Sequence, residues 1–417
     1  RTKKWVVLHP KKITRENREE EIISLLLNNR GIDEKDFLVD QLDPELAGIN
    51  PSSLKEAVTL IDQTKKEGKK IIIYGDYDAD GLSATATLWE ALWQSGFDVL
   101  PYIPDRINDG YGINPKTIKK LKKEHPDLGL IITVDNGIVA HQAVELAHSL
   151  GVKVIITDHH LPPESLPEAE VIVHSTKLAG SGVAWFLARE FGYQALDLVA
   201  LGTVADLLPL QGVNHRLVKL GLKELSQTKR IGLKSLMEKA GILGKELSSW
   251  DISFVLAPRL NAAGRLAEAI DGLRLLCTKD YHRAKELANQ LERINSQRQQ
   301  LMNQSFEDAQ IKVGDSPGKI IFAADESYHQ GIIGLVAGKL VEKFYRPAIV
   351  VWRGDGYSKG SARSVAGCNI VELIRTAEDL LVDVGGHPMA AGFTIETKNI
   401  EKFAQRIEQI AEEMIKP

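Results

Sequence analysis

The chain of 417 residues is 43% hydrophobic and 26% charged, and its formal net charge is −4. It is too long for one ordinary hydrophobic core, so two or three domains are expected, and its composition is typical of a soluble globular protein. The nearly balanced charge excludes the overall basic character of many nucleic-acid-binding proteins but leaves room for local basic patches.

The sequence also argues against a secreted or membrane protein. The two cysteines, Cys277 and Cys368, are far apart and form no paired motif, which predicts no disulfide framework and favours a reducing compartment. No apolar stretch is long enough to span a bilayer, and residues 1–5 are not followed by the apolar region of a signal peptide. We therefore expect a cytoplasmic protein without membrane association.

The first half of the chain carries alternating helix and strand patterns. Apolar spacing predicts a helix over about residues 14–30 and a second helix capped by Ser52 or Ser53. Strands and helices then alternate over residues 70–173, which indicates a parallel sheet, and residues 178–244 are mainly helical in pattern.

The second half begins with a long helix over residues 280–311 that has a polar face and contains neither Gly nor Pro. A second α/β pattern follows Gly314, and residues 399–416 form an amphipathic helix in the prediction. The expected fold class is therefore α/β, with a parallel-sheet domain that has helical additions, a connecting helix and a smaller α/β domain. The predicted boundaries are 1–279, 280–312 and 313–417.

Three apolar runs end directly in acidic or histidine residues. Because ligands gather at the carboxyl ends of parallel strands, five carboxylates and two imidazoles should meet at one sheet edge. So many carboxylates repel one another unless cations neutralise them, and divalent metal ions bind carboxylate oxygen and imidazole. The residues concerned are Asp76, Asp78, Asp80, Asp135, Asp158, His159 and His160.

The acidic run over residues 76–81 has other interpretations. A solvated acidic turn is one, but it does not explain why the run follows the apolar stretch 71–74 so closely. A calcium EF-hand loop is another, but Thr87 stands where that loop requires Glu. A metal site is the interpretation that we favour.

The remaining motifs are less specific when each is taken alone. Asp135 begins an Asp-Asn-Gly sequence that is equally typical of an ordinary turn. His159 and His160 cannot both face the same way in extended structure, so one could bind metal while the other orients it or contacts substrate; a surface pair is the alternative. Asp206 follows an apolar run that could be helix or strand, and it is either a metal ligand or a helix cap.

Taken together, the order and spacing of these residues resemble the DHH phosphoesterase superfamily and, within it, the RecJ family of bacterial single-strand-specific exonucleases. The likeness covers essentially the whole chain and is highly specific when its motifs are combined. The segments that carry it are 4–5, 30–32, 74–81, 201–206, 258–265, 360–364 and 385–392.

The resemblance implies a site with two Mn²⁺ or Mg²⁺ ions. It implies that Asp135 bridges both ions, that Asp78 and Asp206 hold one, and that Asp80 and His159 hold the other. Asp76 and Asp158 would be ligands or would support ligands, and His160 would contact the scissile phosphate. Asp135, Asp158 and His160 are the residues to which we assign catalysis.

The resemblance also assigns substrate contacts. Ser361 and Arg363 would bind a 5′-terminal phosphate, for which a guanidinium and a hydroxyl are well suited. His387 would donate to a phosphate oxygen. A surface turn with an unused arginine and a tight strand turn with a packed histidine are the alternatives for these two segments. The other expected substrate contacts are Arg259, Asn261 and Arg265, which could reach the groove between the domains, although Arg265 could equally cap a helix or pair locally.

The implied activity is metal-dependent 5′→3′ hydrolysis of single-stranded DNA in recombination and repair, with a single-strand-binding protein and a helicase as expected partners. The chain departs from the family pattern in two places. Most members continue into an OB-fold, whereas this sequence ends at Pro417, so either that module was cut away or this is a short member. The segment after His160 is short and has His174-Ser175 where a longer Asn-Pro stretch is usual. Both departures bear on strand affinity and processivity more than on chemistry.

Three rival functions remain at this stage. One is a phosphodiesterase of the same superfamily that acts on short oligonucleotides or cyclic dinucleotides. A second is a family II-type pyrophosphatase, which the Asp-His-His and Gly-Gly-His segments disfavour. The third is a scaffold that has lost catalysis, which the complete acidic set argues against.

Overall fold

The computed structural model describes residues 6, 8, 19–33, 37, 41–106, 108–314 and 318–414. Two compact units divide the chain, Arg1–Glu292 and Arg293–Pro417. The division falls within one long helix, Tyr281–Val313. The sequence predicted this helix over 280–311, and its separation as a distinct connecting segment stays a prediction.

The first unit is built around a five-stranded parallel sheet with the order β2-β1-β3-β4-β5. The parallel sheet expected from the sequence is confirmed. Successive side chains of β1 point to opposite faces, so Ile71 and Ile73 pack into one apolar cluster while Ile72 and Tyr74 pack into another. The strands are β1 Lys70–Tyr74, β2 Val99–Tyr102, β3 Leu128–Val134, β4 Lys153–Asp158 and β5 Val171–His174.

Helices cover both faces of this sheet, as is usual for parallel sheets. Those before β5 are α1 Glu19–Asn28, α2 Pro51–Lys66, α3 Ala79–Gln94, α4 Pro115–Glu124 and α5 His141–Ser149. Those after β5 are α6 Gly180–Arg189, α7 Asp197–Ala205, α8 Gly212–Ser226, α9 Ile231–Lys239, α10 Ala257–Leu266 and α11 Ile270–Cys277. A π-helical turn, Ile252–Leu256, leads into α10.

One expectation about a helix end was wrong, and one question that the sequence left open is decided. The cap of α2 is Asn50, whose side chain accepts from the backbone N–H of Ser52; the expectation of Ser52 or Ser53 was wrong because Pro51 already occupies the first helical turn. Residues 200–205, which the pattern left open, lie in helix α7. The part of the first predicted helix before Glu19 lies outside the described residues.

The second unit contains a mixed sheet with the order β6-β7-β8-β10-β9, in which only β6 and β7 pair in parallel. Its core joins Ile349 and Val351 of β7 to Phe393 of β10 and Phe403 of the last helix. The strands are β6 Ile321–Asp325, β7 Ala348–Trp352, β8 Tyr357–Arg363, β9 Leu381–His387 and β10 Ala390–Glu396. The long helix that contains the division is α12, Tyr281–Val313, and the helices that follow it are α13 Ile333–Phe344, α14 Ile370–Arg375 and α15 Ile400–Met414.

Within the described ranges, no helix combines the length and the apolar character needed to cross a membrane.

Candidate metal centre

The acidic and histidine residues expected at the strand ends do meet in the first unit. They form three overlapping groups, and within each group one ligand atom per residue lies within 4.8 Å of the others. The groups are Asp76, Asp78 and Asp135; Asp80, His159 and Asp206; and Asp135, His159 and His160.

Asp80 and His159, which the resemblance places on one ion, lie in the same group, and Asp206 lies with them. Asp78 lies in the group of Asp76 and Asp135. Asp135 belongs to two of the three groups, which is the position that a bridging ligand would need. The ligand roles of the individual residues stay predictions.

The loop between β1 and α3 is fixed by its own hydrogen bonds. Asp78 caps α3, since its Oδ1 accepts from the backbone N–H groups of Asp80 and Gly81 at 2.9 Å each. Asn261 on α10 reaches the same loop, where its Oδ1 accepts from the backbone N–H of Ala79 at 2.6 Å. The loop is therefore held from two sides.

Asp80, in the first turn of α3, contacts the amino terminus of helix α6. Its two carboxylate oxygens accept from the backbone N–H of Gly180 at 2.7 Å and of Ser181 at 3.0 Å. The amino terminus of a helix favours a negative charge, so this contact orients Asp80 and favours its ionised form. A methyl group at Gly202 would overlap Asp80 Oδ1, and one at Gly180 would come within 2.5 Å of Asp135 Oδ1, so α6 and α7 approach the acids closely because these two residues lack side chains.

Asp135 is the most constrained of the acids. It is 3% exposed, and its φ of 64° places it in the left-handed region that non-glycine residues rarely adopt. Its Oδ1 is buried and makes no hydrogen bond in the described part of the chain, although His159 Nε2 lies 3.0 Å away. A buried carboxylate oxygen without a hydrogen bond, surrounded by oxygen and nitrogen donors, fits a divalent cation.

Burial and mutual repulsion shift the pKa values of the cluster. Burial, followed by the neighbouring carboxylates, raises the pKa of Asp76 and Asp135 well above the usual range and that of Asp80 to about 6. The same causes raise the pKa of Asp206 to about 8. Burial lowers the pKa of His159 to about 4, which keeps its imidazole neutral and able to bind a metal ion.

We expect the metal-free protein to lose stability as the pH rises. A carboxyl whose pKa is raised on folding binds its proton more tightly in the folded state, so ionisation between about pH 4 and pH 8 favours unfolding. In EDTA, thermal unfolding scans should show a melting temperature that falls across this range, and saturating Mn²⁺ should remove the fall. The Asp206→Asn variant should show a smaller decrease between pH 6 and pH 8; a slope equal to that of the wild type would contradict the assignment.

Asp158, His160 and Tyr111 form a chain of contacts beside the cluster. Asp158 Oδ1 lies 2.7 Å from His160 Nδ1, and Asp158 Oδ2 accepts from the backbone N–H of Ile138 at 2.9 Å. Burial opposes charge on His160, but the bond to Asp158 outweighs it and raises the pKa of the imidazole. His160 Nε2 lies 3.1 Å from Tyr111 Oη, so the imidazole is held at both nitrogens.

Sequence reasoning missed two residues of this region. Tyr111 contacts His160, and the Arg106 guanidinium lies 5.0 Å from the ring centroid of Tyr77 in the acidic loop. Both belong to the loop between β2 and α4, which follows no buried acidic strand end and so gave no pattern signal.

The three residues expected to contact substrate from α10 have partners within the first unit. Arg259 forms an ion pair with Glu292 at 2.6 Å, Asn261 supports the acidic loop, and Arg265 lies close enough to Tyr77 to influence the pKa of that phenol. Through these contacts the three residues stabilise the structure of the first unit. Their contact with substrate stays a prediction.

In the second unit, Ser361 and Arg363 lie on β8 and His387 lies on β9, with β10 between the two strands. Arg363 and His387 both pair with Ala390, one from each side, so they share a row across the sheet. A methyl group at Gly334, near the start of α13, would lie 2.9 Å from Ser361 Oγ and 3.2 Å from Arg363 Nη2. A guanidinium, a hydroxyl and a helix amino terminus thus adjoin one another, and each of them favours an anion.

Comparison with known proteins agrees with this architecture. Residues 70–203 match the DHH family, N-terminal domain, and residues 317–413 match the DHHA1 domain. Two similar solved structures are RecJ from Thermus thermophilus in complex with Mn²⁺ (TM-score 0.83, 35% identity, 94% of this chain and 59% of that chain) and an exonuclease RecJ bound to manganese (TM-score 0.78, 37% identity, 89% and 96%).

Curated relatives are also similar over most of the chain. The single-stranded-DNA-specific exonuclease RecJ of Bacillus subtilis is 38% identical over 98% of this chain and 55% of its own length. That of Salmonella typhimurium is 36% identical over 90% of this chain and 73% of its own length. The chain spans about half the length of the Bacillus relative. At this identity and coverage, the chain belongs to the RecJ family of DHH-domain proteins.

Proposed function

We propose that this chain is a metal-dependent exonuclease that hydrolyses single-stranded DNA from the 5′ end. The observation that carries the proposal is the convergence of five aspartates and His159 in groups with ligand atoms within 4.8 Å. The names of the relatives, single-stranded-DNA-specific exonucleases, support the substrate class. We infer roles in recombination and repair from membership of the family.

The residues that would hold two Mn²⁺ or Mg²⁺ ions are the five aspartates of the three groups and His159, with Asp135 shared. Solved relatives bound to Mn²⁺ and to Mg²⁺ support the choice of ions. When bound, such ions activate water and offset the charge on a phosphodiester. The chain itself supplies buried, ionisable carboxylates that are already oriented by backbone N–H groups, so few rearrangements are needed for binding.

His160 is the residue that we expect to contact the scissile phosphate. Its Nδ1 is bonded to Asp158, which favours a proton on that nitrogen and raises the imidazole pKa. In this state Nε2 can carry a second proton and donate to a phosphate oxygen or to the departing oxygen. Tyr111 Oη, 3.1 Å from Nε2, orients the ring until a phosphate oxygen takes its place.

The 5′→3′ direction rests on the second unit. We propose that Ser361, Arg363 and the start of α13 bind the 5′-terminal phosphate, with His387 nearby in the same row of the sheet. We propose that residues 1–279 form the catalytic segment, residues 280–312 the connecting helix and residues 313–417 the substrate-binding segment. We propose that the protein acts in the cytoplasm, with a single-strand-binding protein and a helicase as partners. Co-purification from cells would test the two partners.

Direction of cleavage provides the direct test. With Mn²⁺, a 5′-labelled single-stranded oligonucleotide should release its label as a mononucleotide at once, whereas a 3′-labelled one should release it last. Equal cleavage of the two, or first release from the 3′ end, would contradict the direction. A preference for dinucleotides over long strands would instead favour the phosphodiesterase alternative, and no metal-dependent cleavage would favour the scaffold.

The Arg363→Ala variant should lose its preference for 5′-phosphorylated ends. Removing a charge-assisted contact to phosphate costs about 1.5–3 kcal/mol, so the ratio of kcat/KM for phosphorylated over hydroxyl ends should fall by roughly 10- to 100-fold. Arg375→Ala is the matched control, because Arg375 is an exposed arginine of the same unit. If both variants keep the wild-type ratio of kcat/KM, Arg363 does not recognise the 5′-terminal phosphate.

A further inference from the structure

Two leucines beside the metal centre are unusually exposed. Leu161 is 80% exposed and Leu207 is 79% exposed, and among the described residues of the first unit no other large apolar side chain is exposed as much. Scattered exposed leucines are ordinary on protein surfaces. These two are not scattered, since each directly follows a residue of the centre, His160 in one case and Asp206 in the other.

A contact within the centre brings the segments that carry the two leucines close together. His159 Nε2 lies 3.6 Å from Asp206 Oδ2, which joins the segment that ends β4 to the segment that ends α7. Leu207 directly follows Asp206, and Leu161 lies two residues after His159. Because consecutive Cα atoms are about 3.8 Å apart, both leucines belong to the immediate surroundings of this contact. Val139, 62% exposed, belongs to a third segment that is joined to Asp158 through the backbone N–H of Ile138.

The backbone at Leu207 gives a second, independent indication. Its φ is 60°, in the left-handed region, where glycine or asparagine would be less strained than leucine. Strained residues that are not glycine concentrate at functional sites, where the surrounding structure holds them. An exposed apolar side chain gains nothing from the protein interior, so neither burial nor backbone preference accounts for leucine at this position.

We propose that Leu161, Leu207 and Val139 form an apolar rim that packs against an unpaired nucleobase of the substrate. The inference rests on the proposed function and adds to it the contact that recognises the base. A nucleotide whose phosphate lies at the acidic cluster must place its sugar and base a few ångströms away, where the rim begins. Apolar contact with the face of a base is independent of sequence.

The rim also suggests a source of strand selectivity. In a duplex, every base pair behind the terminal one has both faces covered by stacked neighbours, so its bases are not available to an aliphatic side chain. In a single strand, a base can leave the stack at modest cost and cover the two leucines. Selectivity would then arise at the first unit itself, from exposed apolar surface next to a charged centre.

The test is a substitution combined with removal of the base. Leu161→Ala/Leu207→Ala should raise KM for a single-stranded oligothymidylate roughly tenfold with little change in kcat, since about 1–2 kcal/mol of apolar contact is lost. Oligonucleotides with one abasic site at the first, second or third position from the 5′ end are compared in parallel. At the position that contacts the rim, wild type and variant should have the same KM.

Controls separate this inference from the proposed function. Leu166→Ala changes another exposed leucine of the same loop, 49% exposed, and should behave as wild type. Calorimetric titration with Mn²⁺ should give the same affinity for wild type and for Leu161→Ala/Leu207→Ala, which shows that the acids are undisturbed. Leu207→Met should retain a low KM, since it keeps apolar surface.

The outcomes differ clearly. If wild type cleaves single strands but the double variant has an unchanged KM, or if its defect persists at every abasic position, the rim does not bind a base and only the inference fails. If wild type shows no metal-dependent cleavage of any single strand, the proposed function fails and the inference fails with it.

Discussion

Replacing Asp135 with asparagine should abolish metal-dependent cleavage while leaving the protein folded. Asp135 is shared by two of the three ligand groups, and its buried Oδ1 has no hydrogen bond within the described residues. An amide at this position loses the negative charge that holds the cations. Loss of about 4 kcal/mol of stabilisation of the transition state corresponds to a rate decrease of roughly 10³-fold. Release of a 5′ label under saturating substrate is the measurement.

Stability measurements distinguish this loss from unfolding. Asp135 is surrounded by other carboxylates, which together with burial raise its pKa. Removing one charge relieves that repulsion, so Asp135→Asn should melt at the same temperature as wild type, or higher, in EDTA at pH 8. In saturating Mn²⁺ the variant should gain less stability than wild type, because it binds the ions more weakly.

Asp62→Asn is the matched control, since Asp62 is an exposed residue of α2. It should retain wild-type cleavage and the full stabilisation by Mn²⁺. Wild-type turnover by Asp135→Asn would contradict the metal centre itself. A large drop in melting temperature in EDTA would mean that Asp135 serves mainly to stabilise the fold.

Replacing Arg230 with methionine should strongly destabilise the first unit. The Arg230 side chain is 14% exposed and joins the carboxyl end of α3 to the amino end of α7. Its two Nη atoms donate to Glu90 at 2.6 and 2.7 Å, and its Nε donates to Asp197 at 3.0 Å. It also donates to Tyr193 Oη at 2.5 Å and to the carbonyl of Leu276 at 3.3 Å. All of its donor nitrogens are therefore used.

The size of the loss in unfolding free energy follows from the two carboxylates that would remain without a partner charge. The side chains of Glu90 and Asp197 are 12% and 4% exposed, so without Arg230 two negative charges are left in a poorly hydrated site. Breaking a buried ion pair from one side costs about 3–5 kcal/mol. For a unit of this size, that corresponds to a decrease in melting temperature of roughly 10 °C. Denaturant titration followed by circular dichroism would give the free energy of unfolding.

Arg274→Met supplies the comparison. Arg274 is 53% exposed and pairs with Asp271 at 2.9 Å on the surface of α11. Exposed pairs contribute less than about 1 kcal/mol, so this variant should be close to wild type. If Arg230→Met and Arg274→Met are equally stable, the buried ion pair does not stabilise the fold as the distances suggest.

The sequence was most informative where local pattern and topology coincide. Asp76, Asp135 and Asp158 follow apolar runs, and parallel strands bring the ends of such runs to one edge, so their meeting could be predicted. Asp206 was ambiguous because its apolar run suits either a helix or a strand. It lies just after α7, and only the packing of that helix decides which acids it meets.

Other features depend on tertiary contacts that no local pattern encodes. Which acids lie in one group is decided by side-chain placement within a few ångströms, so the sequence could not show that Asp76, Asp78 and Asp135 lie together. Tyr111 lies in a loop whose path is set by distant contacts. Asn261 was assigned to substrate from family likeness, whereas its hydrogen bond to Ala79, 182 residues away, is visible only in three dimensions.

The close approach of α6 and α7 to the acids has a consequence for how such chains can diverge. Gly180 and Gly202 have no reactive group, yet any side chain at either position would displace Asp135 or Asp80. Natural variation should therefore be as restricted at these two glycines as at the aspartates. A survey of variation that equates invariance with chemistry would count them as catalytic, although what is being preserved there is empty space.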